Sequence, residues 1–259
     1  MKYTFYIVTH KQFTPPPLKS YRSIIVGGKT FEIPNAIFDN TGDNISSKNP
    51  NYCELTALYW IWKNDTTSDF VSLNHYRRYF LDKSIFLSTN KLLSEEGAGR
   101  RLRQNDVILP YPRVRLHYSV SDWFIRTDGK QKDVDELRKT VLALYPDYIN
   151  AYDYVMNGNE ASYYNMFVMS KELCDRYCEW LFAILFKLES CIDISTYTKN
   201  EARIYGFLSE RLLNVWVRKN NLKTCYLDVI ETEKKIDNYE LLKDRAKHFY
   251  LKLKGKSVI

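Results

Sequence analysis

No apolar run in the sequence reaches the roughly 18 to 20 residues that cross a bilayer. Even Trp180 to Phe186 is stopped at Lys187, which excludes an integral membrane protein of the helical kind. The start, Met1 to His10, has an apolar stretch too short for the core of a signal peptide and no small-residue cleavage site, so a cytoplasmic location is expected. Nine glycines and eight prolines in 259 residues are too few for collagen-like or disordered classes, and 45% hydrophobic with 27% charged residues is the composition of a folded chain. Cysteine is scarce and odd in number: Cys53, Cys174, Cys178, Cys191 and Cys225 form no C-x-x-C pair and have no histidine at ligand spacing. That argues against a disulfide framework and a zinc site. Cys174 and Cys178, one helical turn apart, are expected to be packing residues. There is no internal repeat and no low-complexity tract.

What is present suits one large α/β domain, or one with a helical appendage. Lys and Arg number 38 against 31 Asp and Glu, leaving +7, a balance suited to a nucleotide phosphate, an acidic lipid surface or nucleic acid. Residues 3–8 run β-branched and aromatic and predict a buried first strand, with Thr9, His10 and Lys11 directly after it. A loop through Pro15, Pro16 and Pro17 leads to a turn-rich stretch from Asp39 to Asn49. Leu55, Leu58, Tyr59 and Trp62 predict a helix over 52–64, and Phe70 to Leu73 a strand. Further strands are expected at 106–110 and 163–169, and helices at 133–145, 170–189 and 201–219. From Glu231 onward, Leu242, Ala246, Phe249 and Leu253 fall at helical spacing among lysines and arginines. Such a helix either docks on the domain or lies on an anionic membrane face.

Three constellations offer chemistry. The first is His75-Tyr76-Arg77-Arg78-Tyr79, at the end of a strand where open α/β sheets bind ligands. Guanidiniums suit a diphosphate and ring faces suit a base or sugar. In nucleotide-sugar transferases that place commonly carries an Asp-x-Asp with a divalent cation; here it carries cations, so arginine charge is expected to neutralise a leaving diphosphate. Strand alternation predicts that only one of Arg77 and Arg78 faces the site, the other being free to pair with an internal carboxylate. The second is Asp39, Asn40, Gly42, Asp43 and Asn44, leading to Glu54. These side chains can accept from ribose hydroxyls or uracil N–H, and their spacing is not that of a calcium loop. The third is the helix of Arg203, Glu210, Arg211 and Asn214, either a solvated face or the carrier of a general base at Glu210. Asp122 is the other candidate base. Asn165, with Tyr163 and Tyr164, is placed to read sugar hydroxyls, and Met166 and Met169 are expected in the core.

Six segments, taken in order, resemble a bacterial family of capsular and exopolysaccharide synthesis glycosyltransferases: Asp39-x-x-Gly-Asp-Asn-Ile-Ser, Tyr52-Cys-Glu-Leu-Thr, Tyr59-Trp-x-Trp-Lys-Asn, His75-Tyr-Arg-Arg-Tyr-Phe, Asn165-Met-Phe-Val-Met and Gly206-Phe-x-x-Glu-Arg-Leu. The likeness spans residues 3 to 230. It implies a GT-A-like nucleotide-sugar-binding sheet flanked by helices and an inverting transfer from a UDP-sugar, galactofuranose in some members, to a lipid-linked or glycan acceptor. The expected division is a transferase domain over 1–230 and a basic helical tail over 231–259.

The expected site unites Glu210, Asp122 and His75 as catalytic groups. Thr9, His10, Asp39, Asn40, Gly42, Asp43, Asn44, Glu54, Tyr76, Arg77, Arg78, Asn165 and Arg211 are expected to bind substrate. No bound cofactor or metal is expected; the UDP-sugar is a co-substrate. A manganese-dependent pyranosyl transferase and a non-catalytic nucleotide- or RNA-binding protein are the alternatives. No RNP-like motif or regular basic stripe supports nucleic-acid binding. Peripheral contact with an anionic membrane, at the inner face of the plasma membrane, completes the expectation.

Overall fold

The computed structural model describes residues 1–82, 91–233 and 238–254, with the side chains of 238–241 left aside. In chain order the elements begin with β1 (Tyr3–Thr9), β2 (Tyr21–Ile25), β3 (Ile37–Phe38), α1 (Asn49–Tyr52), α2 (Leu55–Asn64), β4 (Phe70–His75) and β5 (Arg78–Phe80). The middle of the chain forms α3 (Glu95–Leu102), β6 (Val107–Pro110), β7 (Arg113–Val114), α4 (Val120–Thr127), α5 (Gln131–Leu144), α6 (Ile149–Met156) and β8 (Glu160–Ala161). Then come β9 (Phe167–Ser170), α7 (Lys171–Glu189), α8 (Ile204–Lys219), β10 (Thr224–Leu227), β11 (Val229–Glu231) and α9 (Asn238–Leu253). Contacts divide the chain into two compact units. Unit 1 comprises 1–111, 165–178 and 223–238; unit 2 comprises 112–164, 179–222 and 239–259. Residues 231–238 of the expected tail thus belong to the first unit and 239–259 to the second.

Unit 1 is built on a sheet of order β10-β6-β9-β4-β1-β2-β3, with β5 on β4 and β11 on β5. β1 is parallel to β2 and β4, β2 to β3, and β6 to β10, while β9 runs antiparallel to both its neighbours. The mostly parallel α/β architecture flanked by helices is the one expected. Six of the seven residues of β1 are buried, because strands covered on both faces need apolar side chains in both alternations.

The boundaries depart from the sequence reading in instructive places. β2 falls in a segment to which no element was assigned: exposed Arg22 and buried Ser23 interrupt its apolar pattern, yet the segment pairs with β1 from Tyr21 to Ile25. The helix expected from Tyr52 starts at Leu55, since Cys53 at φ 53° breaks the chain between α1 and α2. The strand expected from Tyr163 starts at Phe167, since Tyr164 and Asn165 stand at φ 78° and 52°. α3 lies in a segment, 91–104, to which no helix was assigned; Ser94 caps it by accepting from the Gly97 amide at 3.1 Å.

Unit 2 holds α4, α5, α6, α8, α9 and the short pair β7 and β8. The stripe of Glu210 and Asn214 on α8, one reading of which was a solvated face, is turned inward. Asn214 is buried; its amide accepts from the Ser162 N–H and donates to the Ser162 carbonyl, both at 2.9 Å, and donates also to the Glu210 carbonyl at 2.7 Å. Arg203 falls in the short 3-10 turn before α8.

Candidate functional site

The parallel register of β1, β2, β3 and β4 brings their carboxyl ends to one edge of the unit 1 sheet. Because β9 runs the other way, with Phe167 opposite Leu73, its amino end lies on that same edge. The rim therefore collects Thr9 and His10 after β1, Gly27 after β2, Asp39 after β3, His75 and Tyr76 after β4, and Asn165 before β9. In open α/β sheets this is the ligand-binding edge.

Each member is held by identifiable contacts. The buried Thr9 hydroxyl donates to the carbonyl of Lys11 and accepts from its amide at 3.1 Å, turning the chain out of the sheet. The His10 ring meets Tyr76 edge-on at 5.4 Å, and Phe13 lies 6.1 Å from the same ring. Beside them a groove of 620 Å³ is lined by Lys11, Phe13, Pro15 to Pro17, Tyr76, Tyr79 and Ile230 among others. That volume is within the usual range of small-molecule sites.

Asp39 is buried, accepting from the Ser46 hydroxyl on one oxygen and from the Gly27 amide, at 3.4 Å, on the other. Gly27 at φ 70° is followed by Gly28 at 65°, and a Cβ on Gly27 would stand 2.6 Å from Asn49 Oδ1. The sequence reading passed over this glycine pair; its signal was an apolar run closed by two glycines.

The turn-rich stretch is fastened to α2. The Asn64 side chain accepts from the Asp43 amide at 3.1 Å and donates to the Asp43 carbonyl at 2.8 Å, and the Tyr59 hydroxyl donates to the Asp43 carboxylate at 3.2 Å. Asn44 closes its own turn, donating to the Gly42 carbonyl at 2.9 Å. Asn40 is exposed. Gly42, at φ 59°, has Asn64 Oδ1 only 2.1 Å from where a Cβ would stand, so this glycine admits the asparagine that staples the loop.

Glu54 precedes α2 and accepts from Asn165 Nδ2 at 2.7 Å. Asn165 is 2% exposed, and its backbone is left-handed, as is that of the half-buried Tyr164 before it. A bulky residue in that region is strained, and such strain gathers at functional sites.

The arginines behave otherwise than alternation suggested. β4 continues to His75, so Arg77 sits in a hairpin turn and Arg78 on β5, where simple strand alternation does not apply. Both guanidiniums go to acidic side chains of the β11 segment: Arg78 to Glu231 at 3.2 Å, Arg77 to Glu233 at 3.1 Å and to Glu231 at 3.7 Å. Their charge is neutralised within unit 1.

Asp122, Glu210 and Arg211 belong to unit 2. Asp122 closes a capping box on α4, accepting from the Ser119 hydroxyl at 2.7 Å and amide at 3.1 Å; these bonds hold its carboxyl below the ordinary range. One oxygen of Glu210 accepts from the Tyr164 amide at 2.8 Å and the other from Arg211 at 2.9 Å. Arg211 is buried, donates also to Asp128 at 2.7 Å and lies 5.1 Å from the rings of Phe124 and Tyr163.

Among the described residues no three His, Cys, Asp or Glu side chains converge as metal ligands. The one Asp-x-Asp in the chain, Asp133-Val134-Asp135, opens α5, and Asp133 is a buried cap that accepts from the Lys130 amide at 2.8 Å and from the Tyr197 hydroxyl. Cys174 and Cys178 are buried with free thiols 3.9 Å apart, and burial pushes the Cys178 thiol up. Met166 and Met169 are buried. No helix among the described residues is long and apolar enough to cross a membrane.

Residues 4–221 match the family described as DUF4422, a domain of unknown function. The chain belongs to that family. It is also similar to the apo structure of WbbM, a bifunctional glycosyltransferase, at 30% identity and a TM-score of 0.78 over 92% of this chain. It spans 46% of the length of WbbM. No curated protein matches the chain. This DUF4422 chain thus has a glycosyltransferase-like fold.

Proposed function

We propose that the chain transfers a sugar from a UDP-sugar donor, UDP-galactofuranose, to a lipid-linked or glycan acceptor of a surface polysaccharide. The reading is supported by the likeness to a glycosyltransferase and, above all, by one observation. On the carboxyl edge of the parallel strands, the Glu54–Asn165 pair is held by a left-handed backbone that serves no strand or helix.

In this reading the transfer inverts configuration. An acceptor hydroxyl oxygen attacks the anomeric carbon, the bond from that carbon to the diphosphate breaks, and UDP departs with the bonding electrons. The acceptor proton goes to a carboxylate. Of the rim carboxylates, both oxygens of Asp39 are engaged by Ser46 and Gly27, so Glu54 is the proposed base and Asn165 the group that orients it. Glu210 and Asp122 are given structural work by the contacts described, and Glu210 remains the comparison in the test. Arg77 and Arg78 are paired with carboxylates, so His10, Lys11 and the Gly27–Gly28 main chain are proposed to face the diphosphate in their place. The transfer is proposed to need no divalent cation.

Thermal stabilisation by a panel of UDP-sugars tests the donor, since a ligand of the folded state raises the melting temperature whatever the acceptor. UDP-galactofuranose is expected to raise it, and Glu54→Gln to retain that shift while losing about 10²-fold or more in turnover. Absence of a shift with every UDP-sugar would overturn the donor assignment. Turnover lost in Glu210→Gln but kept in Glu54→Gln would move the base to α8. Activity abolished by a chelator and restored by Mn²⁺ would overturn metal independence.

A further inference from the structure

We propose that α9 is an interfacial helix that seats unit 2 on an anionic membrane, a reading independent of the transfer reaction. The helix packs the wrong way round for a docked surface helix. Among the described side chains, those it turns inward are mostly polar: Asp244 receives Arg113 at 2.9 Å, His248 Nδ1 lies 2.6 Å from Glu160 Oε2, and Leu251 is buried with them. Its outward side is apolar, with Leu242 52%, Phe249 62%, Tyr250 51% and Leu253 71% exposed. At 100° per residue, Phe249, Leu242, Leu253, Ala246 and Tyr250 fill one arc of about 100°. An amphipathic helix docked for core burial alone would turn that arc inward, and a contiguous exposed apolar patch of this kind marks an interaction site.

The flanks identify the occupant. Lys243 and Lys254 border the arc on one side and Lys252 on the other, all three exposed. An apolar stripe edged by lysines places rings and leucines among acyl chains while the ammonium groups meet lipid phosphates. A second copy of the chain packed isologously on the same stripe would bring these lysine rows against each other. Charge complementarity therefore favours an anionic lipid surface.

The test is co-sedimentation of the full chain with vesicles of phosphatidylcholine, with and without phosphatidylglycerol. Binding is expected to the anionic vesicles, with at least a tenfold preference over neutral ones and a steep decline with salt. The double variant Phe249→Ser/Leu253→Ser is expected to lower partitioning about tenfold or more. Its melting temperature should be unchanged, because both side chains lie outside the core. Lys252→Glu/Lys254→Glu is expected to remove the preference for phosphatidylglycerol. Wild-type partitioning in the serine variant, equal binding to neutral vesicles, or no binding to either would overturn the proposal. So would a concentration-dependent dimer that the serine substitutions dissolve, since a second copy would then cover the stripe. A chain that binds vesicles but no UDP-sugar would leave α9 as assigned and refute the transfer reading alone.

Discussion

Replacing Asn165 by alanine and by glycine separates two effects that the native residue combines. Both variants lose the amide that donates to Glu54 at 2.7 Å, a charge-assisted bond whose removal costs about 1.5–3 kcal/mol. They differ in backbone. At φ 52° a residue bearing a Cβ costs about 1–2 kcal/mol; asparagine tolerates this region better than alanine, and glycine avoids the cost. Asn165→Ala should therefore lower the unfolding free energy by about 2–4 kcal/mol and Asn165→Gly by about 1–2 kcal/mol. Urea titration followed by tryptophan fluorescence measures both, with the midpoint moving at constant slope. Equal losses in the two variants would refute the left-handed assignment, and losses below about 0.5 kcal/mol in both would refute the bond to Glu54.

Gly42→Ala should destabilise by about 2 kcal/mol or more in the same titration, because the left-handed backbone disfavours a Cβ and Asn64 must leave its two bonds to Asp43. Burial pushes the Asp65 carboxyl up, but hydrogen bonds from Ser68, Thr67 and Tyr6 outweigh it and hold the group below its ordinary value. Its folded pKa is thus depressed, so its contribution is complete above the unfolded value of about 3.9 and is lost as pH falls through the folded one. Asp65→Asn should flatten this acid limb of a stability profile, and an unaltered limb would refute the assignment. Glu210→Gln should cost about 2–3 kcal/mol, less than a buried pair broken outright, because Asp128 still holds Arg211. Its UDP affinity should be unchanged; a loss of affinity without loss of stability would contradict the contacts seen.

Much of the site was legible as residue types, and less of it as geometry. The stretch from Asp39 to Asn44 announced itself by composition, but its polar groups turn to α2 as much as to the rim, a choice made by Tyr59 and Asn64 rather than by anything within the stretch. Arg77 and Arg78 carried the expected charge, yet Glu231 and Glu233, some 150 residues away in sequence, neutralise it. Gly27 and Gly28 were equally visible in the sequence and went unread, since two glycines acquire meaning only when the strand before them is known to end at the rim.

Local physics determined what the sequence revealed by itself. Runs of β-branched and aromatic residues specified β1 and β4, the spacing of leucines specified α2, α7 and α8, and the periodicity of 242–253 specified an amphipathic α9. Only the tertiary structure decided which way those elements face. Strand register, which sets the amino end of β9 beside the carboxyl end of β4 with Phe167 opposite Leu73, and the docking of α9 by Asp244 and His248 depend on partners far apart along the chain. Contacts of that range leave no periodicity in the sequence from which they could be read.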